Sequence, residues 1–201
     1  MDEMMISTNE ITGETNFYYK RHGVVVPESW KKLARQNWPK QVMVAMGICW
    51  NGTSRIYIVP EETKINASNF IQLILKPMVK KDIPRLYGKE AKDVIFHMDS
   101  APGHVATDTV QWLQQEKVKY ISKEEWLANS PDLAQMDFSI NSIFKKIVKK
   151  RSVNSATQLA RMIRAEWKKF TVGIIRKRLL SWKKRIDLMT EKQGYQIEHD
   201  L

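Results

Sequence analysis

Val94-Ile95-Phe96-His97-Met98-Asp99-Ser100-Ala101-Pro102-Gly103-His104-Val105-Ala106 changes character twice along its length. Val94 to Met98 is continuously apolar apart from His97, which suits a strand buried on both faces. An acid, Asp99, stands at its end. Pro102 and Gly103 then mark a turn. From Val105 the apolar residues Val105, Val110 and Leu113 predict a helix reaching Glu116, and Val118 to Ile121 reads as another strand. Strand, helix and strand in succession point to an α/β domain.

Upstream, Met1 to Thr8 reads as a strand carrying Met4, Met5 and Ile6, and Asn16 to Arg21 as a second extended piece. His22 to Lys40 has no clean period. It holds Gly23, Pro27, Pro39, Trp30 and Trp38, and is expected to leave the sheet as an irregular loop. Val42 to Trp50 is a strong strand pattern. Asn51-Gly52 signals a hairpin turn, with Arg55 to Val59 as the returning partner. Asn66 to Lys80 carries Phe70, Ile71, Ile74, Leu75 and Met78 at helical spacing, with Pro77 as its expected kink or end.

Downstream the pattern turns helical. Ser130 and Pro131 suit a cap and a first helical position, and Phe138, Ile140, Ile143, Phe144, Ile147 and Val148 follow. Ser155, with Gln158 three residues on, predicts the start of a second helix through Leu159, Ile163 and Trp167. A third carries Ile175, Leu179, Trp182 and Ile186. The expected organisation is an α/β core over 1–150 and a basic helical extension over 151–201.

The chain has 201 residues, 43% hydrophobic, enough to bury a core and too apolar for a disordered chain. Its longest apolar stretch, Val42 to Trp50, falls far short of the roughly 20 residues of a membrane span. Met1 is followed at once by Asp2 and Glu3, unlike a secretory signal. The lone Cys49 excludes an internal disulfide and a zinc cluster of cysteines. A soluble intracellular domain is the expectation. Net charge is +11, and it is concentrated: 15 Lys/Arg against only Glu166 lie between Ile143 and Ile186. Such a block repels itself away from a polyanion, so nucleic acid is the favoured partner, with Lys145, Lys146, Lys149, Lys150 and Arg151 leading the segment. A set of solvated helix faces is the plainer reading.

Three acids occupy informative positions: Asp2 in the first strand, Asp99 at a strand end, and Asp137 at the opening of the basic helix. Carboxylates so placed can converge on one sheet edge, and hard oxygen ligands completed by water and phosphate suit magnesium. Two such ions about 3.5–4 Å apart serve phosphodiester chemistry. Spacing alone is weak, because the chain holds 22 acids and each taken singly reads as a surface carboxylate. His97 reads as a hydrogen-bonded core residue and His104 as a helix-start residue. Ser100 lacks the glycines of a nucleophile elbow, and no Gly-rich phosphate loop is present. Trp112, Trp167 and Trp182 fall on apolar helix faces and read as core.

The block His97-Met98-Asp99-Ser100-Ala101-Pro102-Gly103-His104 resembles the one holding the second catalytic aspartate in transposases of the mariner superfamily. Ser130-Pro131-Asp132-Leu133 with Met136-Asp137-Phe138 is similar to the block of their third acid, Pro39 to Gly52 to their strand pair, and Asp2-Glu3 to the first acid. Ser181 to Arg185 and Gly194 to His199 resemble the closing motifs. An aspartate as third acid, with 37 residues between Asp99 and Asp137, suits the aspartate-ending branch. The resemblance implies a ribonuclease-H-like fold with Asp2, Asp99 and Asp137 as catalytic metal ligands for two Mg²⁺ or Mn²⁺ ions. It also implies cut-and-paste DNA transposition into a TA target, a homodimer on DNA using the 22–40 loop, and a nuclear location. Departures are Ala45 and Asn141, where the family often has tryptophan, and Ala134-Gln135, which lacks the usual proline. The family's amino-terminal DNA-reading modules and the upstream half of its first strand have no counterpart, so Asp2 is expected to fray. A fragment or relic is one expectation, and an inactive nucleic-acid-binding remnant is the alternative. A ribonuclease-H-like nuclease of another type is a third.

Overall fold

A computed structural model describes residues 1–8, 22–25, 27, 40–126, 133–149, 153, 155–195 and 197. The expected strand at Asn16 to Arg21, most of the 22–40 loop, the Ser130-Pro131 cap, Lys150 and Arg151 lie outside them.

The strands β1 (Asp2–Ser7), β2 (Gln41–Met46) and β5 (Tyr57–Ile58) form an antiparallel sheet in the order β1-β2-β5. Two-residue strands β3 (Ile48–Cys49) and β4 (Gly52–Thr53) make a small hairpin, and β6 (Ile95–Phe96) pairs with β7 (Lys119–Tyr120) in parallel. The amino group of Met1 donates to the His97 carbonyl at 2.5 Å, which ties the start of β1 to the end of β6. Asp2 therefore does not stand loose: it faces Met46 in a six-pair ladder.

Period-two alternation sorts the side chains into two cores. Met4 and Ile6 of β1 and Val42, Val44 and Met46 of β2 pack on one face against α3 (135–149) and α4 (Ala156–Trp167). There Phe144 lies edge-on to Trp167 at 5.3 Å, and the Trp167 indole N–H donates to the Ser54 carbonyl at 2.8 Å. On the other face Ala45 meets Phe70, Ile74 and Leu75 of α1 (67–87), together with Phe96 and with Leu113 of α2 (Thr107–Gln115). The last helix, α5 (Val172–Glu191), starts at Thr171, whose hydroxyl accepts from the Ile174 N–H. Ser155 caps α4 as expected, accepting from the Gln158 N–H at 3.2 Å.

Several expectations are corrected. The apolar run Val42 to Trp50 is two strands, because the Gly47 N–H is captured by Ser54 Oγ at 2.8 Å and the chain turns out of the sheet there. The hairpin turn is Trp50-Asn51 rather than Asn51-Gly52; Gly52 pairs with Cys49 at φ 139°, a conformation that favours glycine. Pro77 does not end α1. Wide turns over Ile71–Leu75 and Met78–Asp82 flank it and carry the helix past a residue with no N–H to donate. Ile95 is 62% exposed, so β6 is covered on the Phe96 face only. Among the described residues no helix is long and apolar enough to cross a membrane.

Candidate active site

Alternation along β1 sends Asp2 toward the α3 face, where Met4 and Ile6 also point, and Glu3 toward the opposite face. Asp137 lies in the first turn of a wide helical stretch, Met136–Asn141, that opens α3. Asp99 follows β6. Asp2, Asp99 and Asp137 come from distant parts of the chain and line one cavity of about 1210 Å³, whose wall also includes His97, Trp50, Trp126 and Trp182.

The three acids are held differently. Burial, with the charge of Asp137 next, raises the Asp2 carboxyl to about 7. Burial raises the Asp137 carboxyl as well, and its contact with Asp2 opposes that rise. Asn141 Nδ2 donates to Asp2 Oδ2 and opposes that rise. Asp99 behaves oppositely. A hydrogen bond from His104 holds its carboxyl below the usual range against the effect of burial, with help from the Ala101 N–H at 3.0 Å.

His104 is 1% exposed and spans two carboxylates, with Nδ1 2.6 Å from Asp99 Oδ1 and Nε2 3.0 Å from Glu3 Oε1. Burial pulls its pKa down, but the bonds and charges of Asp99 and Glu3 outweigh it and raise the group to about 9. The helix-start reading of His104 is thus replaced by a buried bridge. His97 also departs from its expectation: its Nε2 is buried without a hydrogen-bond partner, and its ring lies 4.0 Å from that of Trp126. Burial lowers its pKa to about 4.

α5 closes the far side. The indole N–H of Trp182 donates to the Leu133 carbonyl at 3.0 Å, and Arg185 lies 3.7 Å over the Phe138 ring. Trp182 is therefore a partly exposed wall residue rather than core, and Arg185 is a buried contact to the segment of Asp137 rather than a surface cation. Of the basic residues expected on a nucleic-acid surface, Lys146 is exposed and Lys145 and Lys149 are half-buried. Arg161, Arg164, Lys168, Lys177, Arg178, Lys183 and Lys184 add further exposed cations on α4, the turn after it and α5.

The residues missed from sequence are Glu3, His104 and Asn141 in their positioning contacts, and Arg185 against Phe138. Glu3 beside Asp2, and Asn141 four places after Asp137, were the available signals. Among the described residues no three His, Cys, Asp or Glu stand close enough to enclose a metal ion. The donor set is nevertheless of the kind a hard divalent cation takes. It consists of carboxylates only, two of them, Asp2 and Asp137, raised chiefly by burial, with an open cavity for water and phosphate oxygens.

An antiparallel sheet with a parallel strand pair beside it, covered by helices, and acids from β1, the end of β6 and the start of α3 on one cavity make up a ribonuclease-H-like fold. Solved structures of Mos1 mariner transposase share this fold. The paired-end complex with left transposon end has a TM-score of 0.81 at 18% identity over 98% of this chain and 55% of that one. The pre-cleavage transpososome has 0.82 at 17%, over 98% and 56%, and the isolated catalytic domain 0.67 at 17%, over 79% and 77%. The chain thus spans about half the length of the proteins in the complexes. No family model and no curated protein matches the sequence.

Proposed function

We propose that this chain is a DDE-type transposase-derived domain that cuts and rejoins DNA strands. The observation that supports this reading is the convergence of Asp2, Asp99 and Asp137 on one cavity in a fold shared with Mos1. Asp2, Asp99 and Asp137 would hold Mg²⁺ or Mn²⁺; Mos1 structures are described with each of these metals. When bound, such ions activate an attacking oxygen and stabilise a leaving one.

The chain's own residues supply placement. Asn141 orients Asp2, and His104 orients Asp99. Trp182 and Arg185 hold the segment that presents Asp137. The exposed cations of α4 and α5 engage DNA phosphates, a sequence-independent contact. Water opens a phosphodiester at a transposon end, and the freed 3′-hydroxyl attacks a TA target. The domain acts in the nucleus as a dimer on DNA.

The test is nicking and strand transfer on duplex DNA with Mn²⁺, wild type against Asp99→Ala. Product formed by wild type and lost in the variant supports the reading; equal product in both, or none in either, removes it. A second reading, an inactive nucleic-acid-binding remnant, is favoured by the 15-to-1 basic excess between Ile143 and Ile186. Duplex binding that weakens steeply with salt, without any cleavage, selects that reading instead.

A further inference from the structure

His104 sits where two differently placed carboxylates must be kept in register. Glu3 belongs to β1, one residue after Asp2. Asp99 belongs to the loop after β6. Between them is a ring that is 1% exposed, packed 4.2 Å from Phe70. Ionised carboxylates only accept hydrogen bonds, so a ring bonded to one at each nitrogen donates from both.

The loop around it is closed by its own hydrogen bonds. The His104 N–H donates to the Ala101 carbonyl at 2.8 Å, and the Thr109 hydroxyl donates to the Gly103 carbonyl at 2.7 Å. The ring's position is therefore set by backbone, not by the exposed side chains around the cavity. Asp99 Oδ1 takes two donors, His104 Nδ1 at 2.6 Å and the Ala101 N–H at 3.0 Å. The carboxylate is half exposed and borders the cavity. One oxygen is thus committed to the protein, and among the described residues the other, Oδ2, accepts no hydrogen bond, which leaves it for a ligand.

We propose that His104 is a positioning residue for metal binding: it fixes Asp99 Oδ1 so that Oδ2 alone is offered to a divalent cation, and it references that oxygen to the strand of Asp2 through Glu3. The assignment rests on the metal reading given under Proposed function. It differs from a purely structural role because the two ring nitrogens have separable tasks. Nδ1 sets the carboxylate. Nε2 ties the loop to β1.

Two substitutions split these tasks on the full chain. The carboxamide of His104→Asn places its N–H near the Nδ1 position and keeps the Asp99 bond. The longer side chain of His104→Gln reaches the Nε2 position and keeps the Glu3 contact. Mn²⁺ titrations followed by the loss of the free-ion paramagnetic signal give the affinity. The expected result is a loss of about 10- to 100-fold in His104→Gln and no more than about threefold in His104→Asn, in line with the usual effect of removing a ligand's hydrogen-bond partner. Thermal unfolding of both variants accompanies the titration, since each loses one of two bonds and a generic packing defect would move both affinities together. Equal affinities in the two variants, whether weakened or not, overturn the assignment.

A crystal structure of the wild-type chain with Mn²⁺ gives a measurement independent of how the variants fold. Anomalous density at Asp99 Oδ2 with the His104–Oδ1 bond intact is expected, and coordination through Oδ1 overturns the proposal. Wild-type protein that binds no Mn²⁺ overturns the metal reading and this assignment together, whereas wild-type binding with an unaffected His104→Gln overturns the assignment alone.

Discussion

Asn141 Nδ2 donates to Asp2 Oδ2, so α3 grips β1 across 139 positions of sequence. The same amide leaves its Oδ1 buried without a hydrogen-bond partner, which shows that the contact to Asp2 decides its orientation. Asn141→Leu removes the donor and leaves a buried acceptor unpaired. The expected loss is about 1–3 kcal/mol, read from the urea unfolding midpoint at pH 7. An unchanged midpoint would mean that the bond does not hold β1.

The pH dependence of the metal-free chain follows from the same carboxyl. The folded-state pKa of Asp2 is raised from 3.8 to about 7, so folding favours its protonated form. The stabilisation is fully present below pH 3.8 and is lost as pH rises through 7. His104, raised from 6.5 to about 9, adds a loss between those values. His97, lowered from 6.5 to about 4, acts in the opposite sense between those two values. Measured from pH 4 to pH 9, the wild-type unfolding midpoint is expected to fall relative to that of Asp2→Asn up to about pH 7 and to run parallel to it above that.

Trp167 tests the core between the sheet and α3 and α4. Its indole N–H satisfies the Ser54 carbonyl, and its ring packs on Phe144 and Phe170. Trp167→Phe keeps the aromatic contact but strands the carbonyl, for an expected cost of about 1–3 kcal/mol. Phe144→Ala empties a fully buried site and should cost about 3–5 kcal/mol. Denaturant curves that rank the two in the opposite order would show that the hydrogen bond, not the ring, is the main contribution.

Basic residues on α5 divide by burial. Arg185 lies over Phe138, and Lys183 is exposed. Lys183→Ala should leave the thermal midpoint in place and lower the salt slope of DNA binding by about one. Arg185→Ala should lower the midpoint, since a desolvated cation–aromatic contact contributes roughly 2 kcal/mol. Fluorescence anisotropy across a salt series, beside a thermal melt, separates the two.

What the sequence conveyed depends on the range of the cause. Apolar spacing at periods of two and 3.6 marked β1, β2, α2, α4 and α5, because that spacing is itself the burial requirement. The ribonuclease-H-like fold was readable from motifs around Asp99 and Asp137. Features that need a distant partner were not. The break at Gly47 depends on the hydroxyl of Ser54, and the passage through Pro77 depends on wide turns either side of it. The exposure of Ile95 depends on a cavity beside β6, and the place of Trp182 on a carbonyl 49 positions away. The bridge through His104 joins residues 101 positions apart, and nothing in the local pattern distinguishes it from a helix-start histidine.

The neighbours Asp2 and Glu3 leave β1 on opposite sides, one toward Asn141 and the other toward His104. Slipping β1 by a single place against β2 would exchange them, presenting the longer acid to Asp137 and the shorter one to the imidazole. The six matched pairs from Asp2–Met46 to Ser7–Gln41 therefore act as a ruler for the chemistry as well as a source of cohesion. An added residue within that strand should silence the site even in a protein that still folds.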